Sequence, residues 1–389
     1  MGEILYNMIT MSHNWKIPLF RIYWDEDDIQ TVNGVIRRGM YWAAGPEIEN
    51  FENEISKYIG TRYCVAFNSG TSALHAALLA HGVGKGDEVI VPSFTFIATA
   101  NAPLFVGAKP VFADIDEKTL GLDPADVERK ITRKTRAIIP IHYGGCPCRI
   151  KELREIADDH GLILIEDAAE AFGARVNKQK VGTFGDSAFF SFCQNKVIST
   201  GEGGAVVTDS KKVYERLKLV RSHGRLERED YFSTPESPEY VNLGYNFRMS
   251  SITAALGISQ LRKVERLIDM RRRAANAYDR HLSRIKEVIL PTPPSGFYHV
   301  YQLYTIRVRG GRNLRDGLIE HLSRKGIMSK VFFYPVHFTK FYKQKFAVRL
   351  PVTESISKEV LSLPMYPGMT NEEISYIAGE CQAFFKEST

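Results

Sequence analysis

The chain carries the sequence LILIEDAA at residues 162–169, a short apolar run that ends on two carboxylates and two small residues. The run predicts a strand at Leu162–Glu166, and the amphipathic spacing ahead of it predicts a helix at Ile150–His160. A helix that leads into an apolar strand in this way is typical of the βαβ units of a parallel sheet. The fold class expected from this stretch is therefore α/β.

The same alternation of short β-branched runs and amphipathic segments extends from about residue 60 to about residue 210. Further strands are predicted at Cys64–Phe67, Glu88–Val91, Pro110–Asp114, Ala137–Ile141, Ser187–Phe192 and Gly204–Thr208. Further helices are predicted at Ser72–His81 and Pro124–Ile131. Together these elements predict a mostly parallel seven-stranded sheet that is sandwiched by helices.

The C-terminal third of the chain follows a different pattern. Apolar residues between Ile252 and Ile268 recur every three or four positions, which predicts one long helix over Ser250–Ile285. We expect this helix to leave a large domain, residues 1–250, and to enter a smaller α+β domain, residues 251–389. In the smaller domain the sequence predicts strands at Tyr301–Val308 and Ser329–Phe333 and helices at Leu314–Lys325 and Glu372–Phe385.

The composition is that of an ordinary packed protein and excludes several classes. Hydrophobic residues make up 44% and charged residues 25% of the chain, which excludes a disordered or low-complexity protein. The longest apolar runs are far shorter than the roughly 20 residues that span a bilayer. The net charge of +6, from 51 Lys and Arg against 45 Asp and Glu, is too mild to indicate nucleic-acid binding. We therefore expect neither a membrane nor a nucleic acid as a partner.

The five cysteines predict a reduced, cytoplasmic protein, because they are too few and too scattered for a disulfide framework. Cys146-Pro147-Cys148 lacks the two-residue spacer of a zinc-binding pair, so the sequence predicts no metal site. Nucleotide-binding motifs are missing too. Lys85, in the glycine-rich Gly82–Gly86, is followed by glycine and not by the Ser or Thr of a P-loop, and no G-x-G-x-x-G follows the first strand.

Three polar segments follow predicted strands, where the ligands of an α/β sheet bind. Asn68–Ser72 combines a glycine turn with the start of a helix, whose N–H groups can hold a phosphate. Ser93–Thr99 places an aromatic ring, Phe96, beside the same crevice. Asp167 ends a predicted strand, where a carboxylate needs a cationic partner. Taken singly, these features are equally well an N-capped turn, a core aromatic residue and a helix N-cap.

A lysine that follows another predicted strand adds the fourth part. Lys196 comes five residues after Ser191 and precedes the glycine turn Gly201–Gly204. A lone lysine in a loop is usually a solvated surface charge, but desolvation at such a place makes an amine nucleophilic. The combination supplies what pyridoxal 5′-phosphate (PLP) requires: donors for the phosphate, a ring to stack on, an acid for the pyridine nitrogen and an amine for the aldehyde.

The order and wording of these motifs also resemble a known family. The segments that carry the resemblance are Asn68–Leu74, Pro92–Ala102, Glu166–Gly173, Ser191–Gly204 and Gly244–Met249. They are similar to the nucleotide-sugar aminotransferases of the fold-type I PLP superfamily, and the resemblance runs from Pro18 to about Phe385. It implies a PLP-dependent transferase that acts on a nucleotide-linked keto-sugar and L-glutamate.

The resemblance implies a role for each matching residue. Lys196 would form the internal Schiff base, Asp167 would pair with the pyridinium nitrogen, and Phe96 would stack on the ring. Asn246 would reach the phosphate of the neighbouring subunit in a homodimer with shared active sites. Glu170 stands near the phenolic oxygen of the cofactor, where the family often has Gln. The cofactor's phosphate would be bound by Gly70, Thr71, Ser72 and Ser191.

Within the family, Glu170 and Asn195-Lys196 are most similar to the branch that aminates GDP-4-keto-6-deoxy-mannose to GDP-perosamine. A sister group of 3-dehydratases carries His at the position of Lys196, so the lysine favours transamination. The alternatives are a UDP- or dTDP-linked keto-sugar, an elimination reaction, and a non-catalytic sensor on the same scaffold. Candidate substrate contacts, each equally explicable by packing or surface exposure, are Trp42, Arg248, Tyr334 and His337.

Overall fold

The computed structural model of the chain describes residues 15–226 and 237–387. Its helices are α1 (Glu26–Arg38), α2 (Glu47–Ile59), α3 (Gly70–Ala80), α4 (Ile97–Phe105), α5 (Pro124–Lys130), α6 (Ile150–Asp159), α7 (Lys211–Arg221), α8 (Ser251–Arg262), α9 (Val264–Leu282), α10 (Arg312–Arg324), α11 (Lys340–Lys343), α12 (Pro351–Ile356) and α13 (Asn371–Glu387). Across these two ranges, no helix is both long and apolar enough to cross a bilayer.

The strands are β1 (Tyr63–Phe67), β2 (Glu88–Pro92), β3 (Lys109–Ala113), β4 (Thr135–Ile138), β5 (Ile163–Asp167), β6 (Arg175–Val176), β7 (Gln179–Lys180), β8 (Ser187–Ser191), β9 (Gly204–Thr208), β10 (Val288–Ile289), β11 (Phe297–Tyr298), β12 (Tyr304–Val308) and β13 (Val360–Leu363). A seven-stranded sheet has the order β1-β9-β8-β5-β4-β2-β3. Only β9 of these seven runs against the others, antiparallel to β1 and β8. The predicted mostly parallel seven-stranded sheet is confirmed.

Helices cover both faces of this sheet because alternate strand residues point to opposite sides. Val65 of β1 packs in a core with Leu74 of α3 and Leu217 of α7. Its neighbour Ala66 packs in a second core with Phe51 of α2 and with α8. Apolar side chains therefore hold the sheet from either side, and polar side chains gather at its carboxyl edge.

A third core lies in the C-terminal part of the chain. It joins α9, α10 and α13 to the sheet β10-β12-β13, with Tyr278, Tyr304 and Leu322 fully buried. A further small sheet, β11-β6-β7, links residues 297–298 to the segment after β5. The α8 helix packs on the large sheet. The division of the chain into two domains at residue 250 stays a prediction. Both predicted domains include terminal residues that lie outside the described ranges.

Two of the predicted elements are wrong. The single helix over Ser250–Ile285 is wrong: it is interrupted at Lys263, which has φ −106° and ψ 6°. The Lys263 ammonium binds Asp25 and lies 3.0 Å from Asp28 Oδ2, so a tertiary contact from the start of α1 accompanies the break. The predicted strand at Ser329–Phe333 is also wrong, since the backbone there forms an isolated bridge between Lys330 and Ser362.

Candidate active site

Lys196 lies in the turn that follows β8, at the carboxyl edge of the large sheet. Its backbone N–H donates to the carbonyl of Cys193 (2.9 Å), which closes the turn. The preceding carbonyl, that of Asn195, accepts from Gln302 Nε2. The side chain is 15% exposed, and its Nζ lies 3.6 Å from Glu170 Oε1. The amine is therefore held near the end of β5 rather than in solvent.

Asp167 is the last residue of β5 and is buried. Thr99 Oγ1 donates to its Oδ2 (2.7 Å), and the Ala169 N–H donates to its Oδ1 (3.2 Å). Burial raises the pKa of the Asp167 carboxyl to about 6, against the two hydrogen bonds. This value of the pKa includes a smaller upward contribution from the Glu170 charge and a smaller downward one from the Lys196 charge. At neutral pH the group is thus mostly ionised, although its surroundings favour the protonated form.

Glu170 is fixed between these two residues. The Gly144 N–H donates to its Oε2 (2.8 Å), which leaves Oε1 facing Lys196. Gly144 belongs to a short 3₁₀ turn, Tyr143–Gly145, after β4. Three charged side chains, two acids and one amine, therefore converge at the ends of β5 and β8.

The residue before Asp167 anchors the strand end from the opposite face. Glu166 is fully buried and accepts from His142 Nε2 (3.0 Å). His142 Nδ1 accepts from the Cys148 N–H, so the proton of a neutral ring lies on Nε2. The carboxylate also accepts from the backbone N–H groups of Gly182, Phe184 and Gly185. With every oxygen bonded, this carboxylate makes a rigid support for Asp167.

The predicted phosphate turn begins α3. Ser69 caps the helix by accepting from the Ser72 N–H (3.1 Å). The backbone N–H groups of Gly70 and Thr71, at the very start of the helix, have no intrahelical partner. A Cβ on Gly70 would lie 2.9 Å from Ser191 Cβ, so only glycine lets this turn contact the end of β8. A Cβ on Gly204 would lie 2.5 Å from the Ser69 carbonyl oxygen.

These residues fit PLP. The close approach of Gly70 to Ser191 brings two hydroxyl-bearing segments and a helix N-terminus together, a donor set that suits a phosphate. Asp167 is an ionised acid in a buried place, which suits a cationic ring nitrogen. Lys196 supplies an amine on the same edge of the sheet.

Two predicted cofactor contacts lie at the surface of the chain. Phe96 precedes α4, is 58% exposed, and has its ring centroid 6.2 Å from that of Phe333. Asn246 is exposed and lies on a segment that bridges to Ser222. Asn68 Nδ2 donates to the Asn246 carbonyl (3.3 Å), so this segment borders the phosphate turn.

The substrate candidates lie on two sides. The Trp42 carbonyl accepts from the Ser251 N–H (2.7 Å), which places Trp42 beside the segment of Arg248. On the other side Tyr334 is 54% exposed. His337 differs from the others because it is buried, with Nδ1 2.6 Å from Ser93 Oγ. In this chain His337 holds the end of β2 in place and is not open to a ligand.

Sequence reasoning missed several residues that shape the site. Thr99, Gly144 and Gln302 contact Asp167, Glu170 and the Asn195 carbonyl, respectively. Thr99 lay inside the Ser93–Thr99 segment, and the place of that segment after a predicted strand was the available signal. Gly144 and Gln302 gave none, because their roles depend on contacts distant in the sequence.

The fold and the site define a PLP-dependent enzyme with an α/β architecture. The sequence model of the DegT/DnrJ/EryC1/StrS aminotransferase family matches residues 23–382, and the chain belongs to this family. Known members are similar over nearly their whole length. The GDP-perosamine synthase of Escherichia coli O157:H7 is 35% identical, over 95% of this chain and 99% of that protein.

Two further comparisons widen the range of relatives. The UDP-N-acetyl-3-dehydro-alpha-D-glucosamine 3-aminotransferase of Acidithiobacillus ferrooxidans is 37% identical, over 95% of this chain and 98% of that enzyme. The structure of Helicobacter pylori PseC, an aminotransferase involved in the biosynthesis of pseudoaminic acid, has a TM-score of 0.89 at 30% identity. It covers 95% of this chain and 99% of PseC. The chain is therefore a PLP-dependent sugar aminotransferase, which uses a keto-sugar and an amino donor.

Proposed function

We propose that this enzyme transfers the amino group of L-glutamate to GDP-4-keto-6-deoxy-mannose and so forms GDP-perosamine and 2-oxoglutarate. The observation that carries the proposal is the cluster of Lys196, Asp167 and Glu170, with Glu170 held by the Gly144 N–H. The similarity to GDP-perosamine synthase supports the choice of sugar. We place the reaction in the cytoplasm, where the five free cysteines would stay reduced.

Bound PLP supplies an aldehyde that captures amino groups and a ring that accepts electrons from the adjacent carbon. Lys196 Nζ would hold the aldehyde carbon in the resting enzyme and then act as general base toward the α-carbon proton of glutamate. In the second half-reaction the same amine would return a proton to the sugar carbon. Glu170, 3.6 Å away, would stabilise the protonated ammonium between these steps.

The remaining residues would bind and orient. Asp167 would keep the proton on the ring nitrogen, since an ionised carboxylate favours a cationic partner. Phe96 would cover the ring, and Trp42, Arg248 and Tyr334 would contact the nucleotide-sugar. The phosphate would be held by Gly70, Thr71, Ser72 and Ser191.

We also propose that the enzyme is a homodimer in which Asn246 completes the partner's site. Asn246 and Phe96 border the site and yet are exposed in the single chain. Apolar side chains continue this surface, with Leu243 78% and Phe105 49% exposed. An exposed apolar surface beside a catalytic cleft is a common place for a second copy.

A second candidate function is amination of a UDP-linked keto-sugar, and the 37% identity to the Acidithiobacillus enzyme favours it. The two are separated by assaying GDP-, UDP- and dTDP-linked keto-sugars with L-glutamate and weighing the products. We expect an amino sugar from the GDP-linked substrate at a rate at least tenfold above the others, a preference of about 1.4 kcal/mol. Highest turnover of a UDP- or dTDP-linked substrate would reject the GDP assignment, and a deoxy product without nitrogen would indicate elimination.

The control for this assay is a pair of lysine variants. Lys196→Ala should lose turnover of every substrate, whereas Lys178→Ala, at an exposed position, should keep it. A wild-type protein that binds PLP but converts none of the sugars, and whose colour does not respond to glutamate, would point to the sensor alternative.

A further inference from the structure

Two threonines form a hydrogen-bonded chain that ends on Asp167. Thr99 Oγ1 donates to Asp167 Oδ2 at 2.7 Å, and Thr95 Oγ1 lies 2.8 Å from Thr99 Oγ1. All three side chains are buried, with exposed fractions of 1% for Thr95, 2% for Thr99 and 3% for Asp167. Water therefore competes little with these contacts.

The direction of the chain follows from the chemistry of its last member. An ionised carboxylate can only accept, so the single Thr99 hydroxyl proton is committed to Asp167. The Thr99 oxygen then has lone pairs left, and Thr95 is the group that donates to it. Hydrogen bonds that point the same way strengthen one another, and the last bond, to a charged acceptor, is the strongest of them.

The surroundings of Asp167 disfavour its ionised form, and this hydrogen-bonded chain opposes them. Glu170 disfavours the ionised carboxylate and Lys196 favours it, and both lie toward the ends of β5 and β8. Burial disfavours the ionised form most strongly. On the α4 side, Thr99 supplies the side-chain hydrogen bond that opposes these effects, and the Ala169 N–H adds a backbone one.

We propose that Thr99, backed by Thr95, is a positioning residue that keeps the Asp167 carboxylate ionised and aimed at the ring nitrogen of PLP. The proposal rests on the proposed pairing of Asp167 with that nitrogen. It assigns Thr99, in the first turn of α4, and Thr95, just before this helix, to cofactor retention and not only to packing.

The test uses PLP alone, without sugar or glutamate, on apoenzyme of the full chain. Thr99→Val keeps the shape of the side chain and removes its hydroxyl, whereas Thr99→Ser keeps the hydroxyl. The equilibrium dissociation constant for PLP is measured from pH 6 to pH 9 by the visible absorbance of the bound cofactor. Measuring binding in this way makes the result independent of which sugar the enzyme aminates.

At pH 7 we expect Thr99→Val to bind PLP at least tenfold more weakly than the wild type, and Thr99→Ser to stay within about threefold. Without its donor the Asp167 pKa rises, so the ratio of the Thr99→Val and wild-type constants should shrink as pH increases and the carboxylate ionises again. The free cofactor titrates identically in both experiments and cancels from the ratio, which therefore reports on the protein. Thr95→Val should show the same trend with a smaller loss.

A Thr99→Val variant that binds PLP as tightly as the wild type would overturn the proposal. So would a loss that is constant across the pH range or that Thr99→Ser shares, since either result indicates packing. Thermal unfolding of the apoenzyme shows whether Thr99→Val folds. If it does not, the proposal is tested with Thr95→Val, by the ratio of its dissociation constant for PLP to that of the wild type across the pH range. Failure of the wild type itself to bind PLP would instead reject the proposed pairing within the site.

Discussion

In the folded chain without cofactor, the surroundings of Asp167 disfavour the ionised form of its carboxyl group. Its pKa rises from an unperturbed 3.8 to about 6, mainly because the strand end is buried. The folded chain therefore binds this proton more tightly than the unfolded chain does, and the free energy of unfolding falls as pH rises from about 4 to about 6. Above that range the loss is complete and stays constant, at on the order of 3 kcal/mol. The ionised Asp167 carboxylate thus lowers the stability of the folded chain, and its charge is suited to pair with a cationic ring nitrogen.

Removal of the Asp167 carboxylate should raise the stability of the apoenzyme while activity is lost. Asp167→Asn removes the ionisable group, so the apoenzyme of this variant should not lose stability as the wild type does between pH 4 and pH 7.5. The difference in the free energy of unfolding, variant minus wild type, should therefore grow by up to about 3 kcal/mol over this range. Urea unfolding at the two pH values measures the difference, and turnover should be lost in parallel. Asp269→Asn, on the exposed side of α9, should show no such change. A relative stability of Asp167→Asn that falls with pH would contradict the assignment.

At the scale of elements, the large sheet was predictable because each strand is a short run of apolar residues. Helix α4 was not predicted, since Pro103 lies inside it and its apolar residues show no single helical face. Lys263, at the helix break, contacts Asp28, 235 residues away in sequence, and no local pattern indicates this contact. Sequence reasoning thus found the strands of the sheet, whose signal is local, and missed contacts between residues that are distant in the sequence.

The site residues follow the same pattern: those with a local sequence signal were predicted, and those that act through distant contacts were not. Lys196 and Asp167 were identified because each follows a strand, and chain order alone brings strand ends to one edge of a parallel sheet. The residues that tune them were not, because Gly144 reaches Glu170 across 26 positions and Gln302 reaches Asn195 across 107. A lone glycine or glutamine carries no signal of such a contact.

The start of α3 offers a test of how closely elements must approach. Gly70→Ala would place its methyl group 2.9 Å from Ser191 Cβ, so α3 and the end of β8 would have to separate. We expect at least a tenfold loss of PLP affinity, about 1.4 kcal/mol, because the proposed phosphate donors on the two elements would no longer converge. Titration of apoenzyme with PLP measures it. Gly34→Ala on α1, where no atom lies within 4 Å of the added Cβ, is the matched control and should leave the affinity unchanged. Equal PLP affinity of the two variants would show that binding does not need the close approach of α3 to the end of β8.

At the scale of the whole molecule, a single chain leaves the surface around its site uncovered. His75 packs between Phe105 and Tyr245, with ring centroids at 5.4 and 5.0 Å, so the end of α4 is continuous with the segment that carries Asn246. This surface includes Phe105, which is 49% exposed. The proposed homodimer would cover this surface with a second copy, and neither composition nor periodicity predicts which residue would cross the interface.

The proposed crossing of Asn246 has a consequence that separates it from a role within one chain. Lys196→Ala and Asn246→Ala should each be strongly impaired alone, the first for lack of the amine and the second for weak hold on the partner's cofactor. If the two are unfolded together and refolded as a mixture, hybrid dimers contain one site with an intact Lys196 and an intact Asn246 from the other subunit. With random pairing, about a quarter of wild-type turnover should return, because half of the dimers are hybrids and each has one working site. Refolding each variant separately before mixing is the control and should restore nothing. No recovery in the hybrid, or full activity of Asn246→Ala by itself, would show that Asn246 does not complete the partner's site.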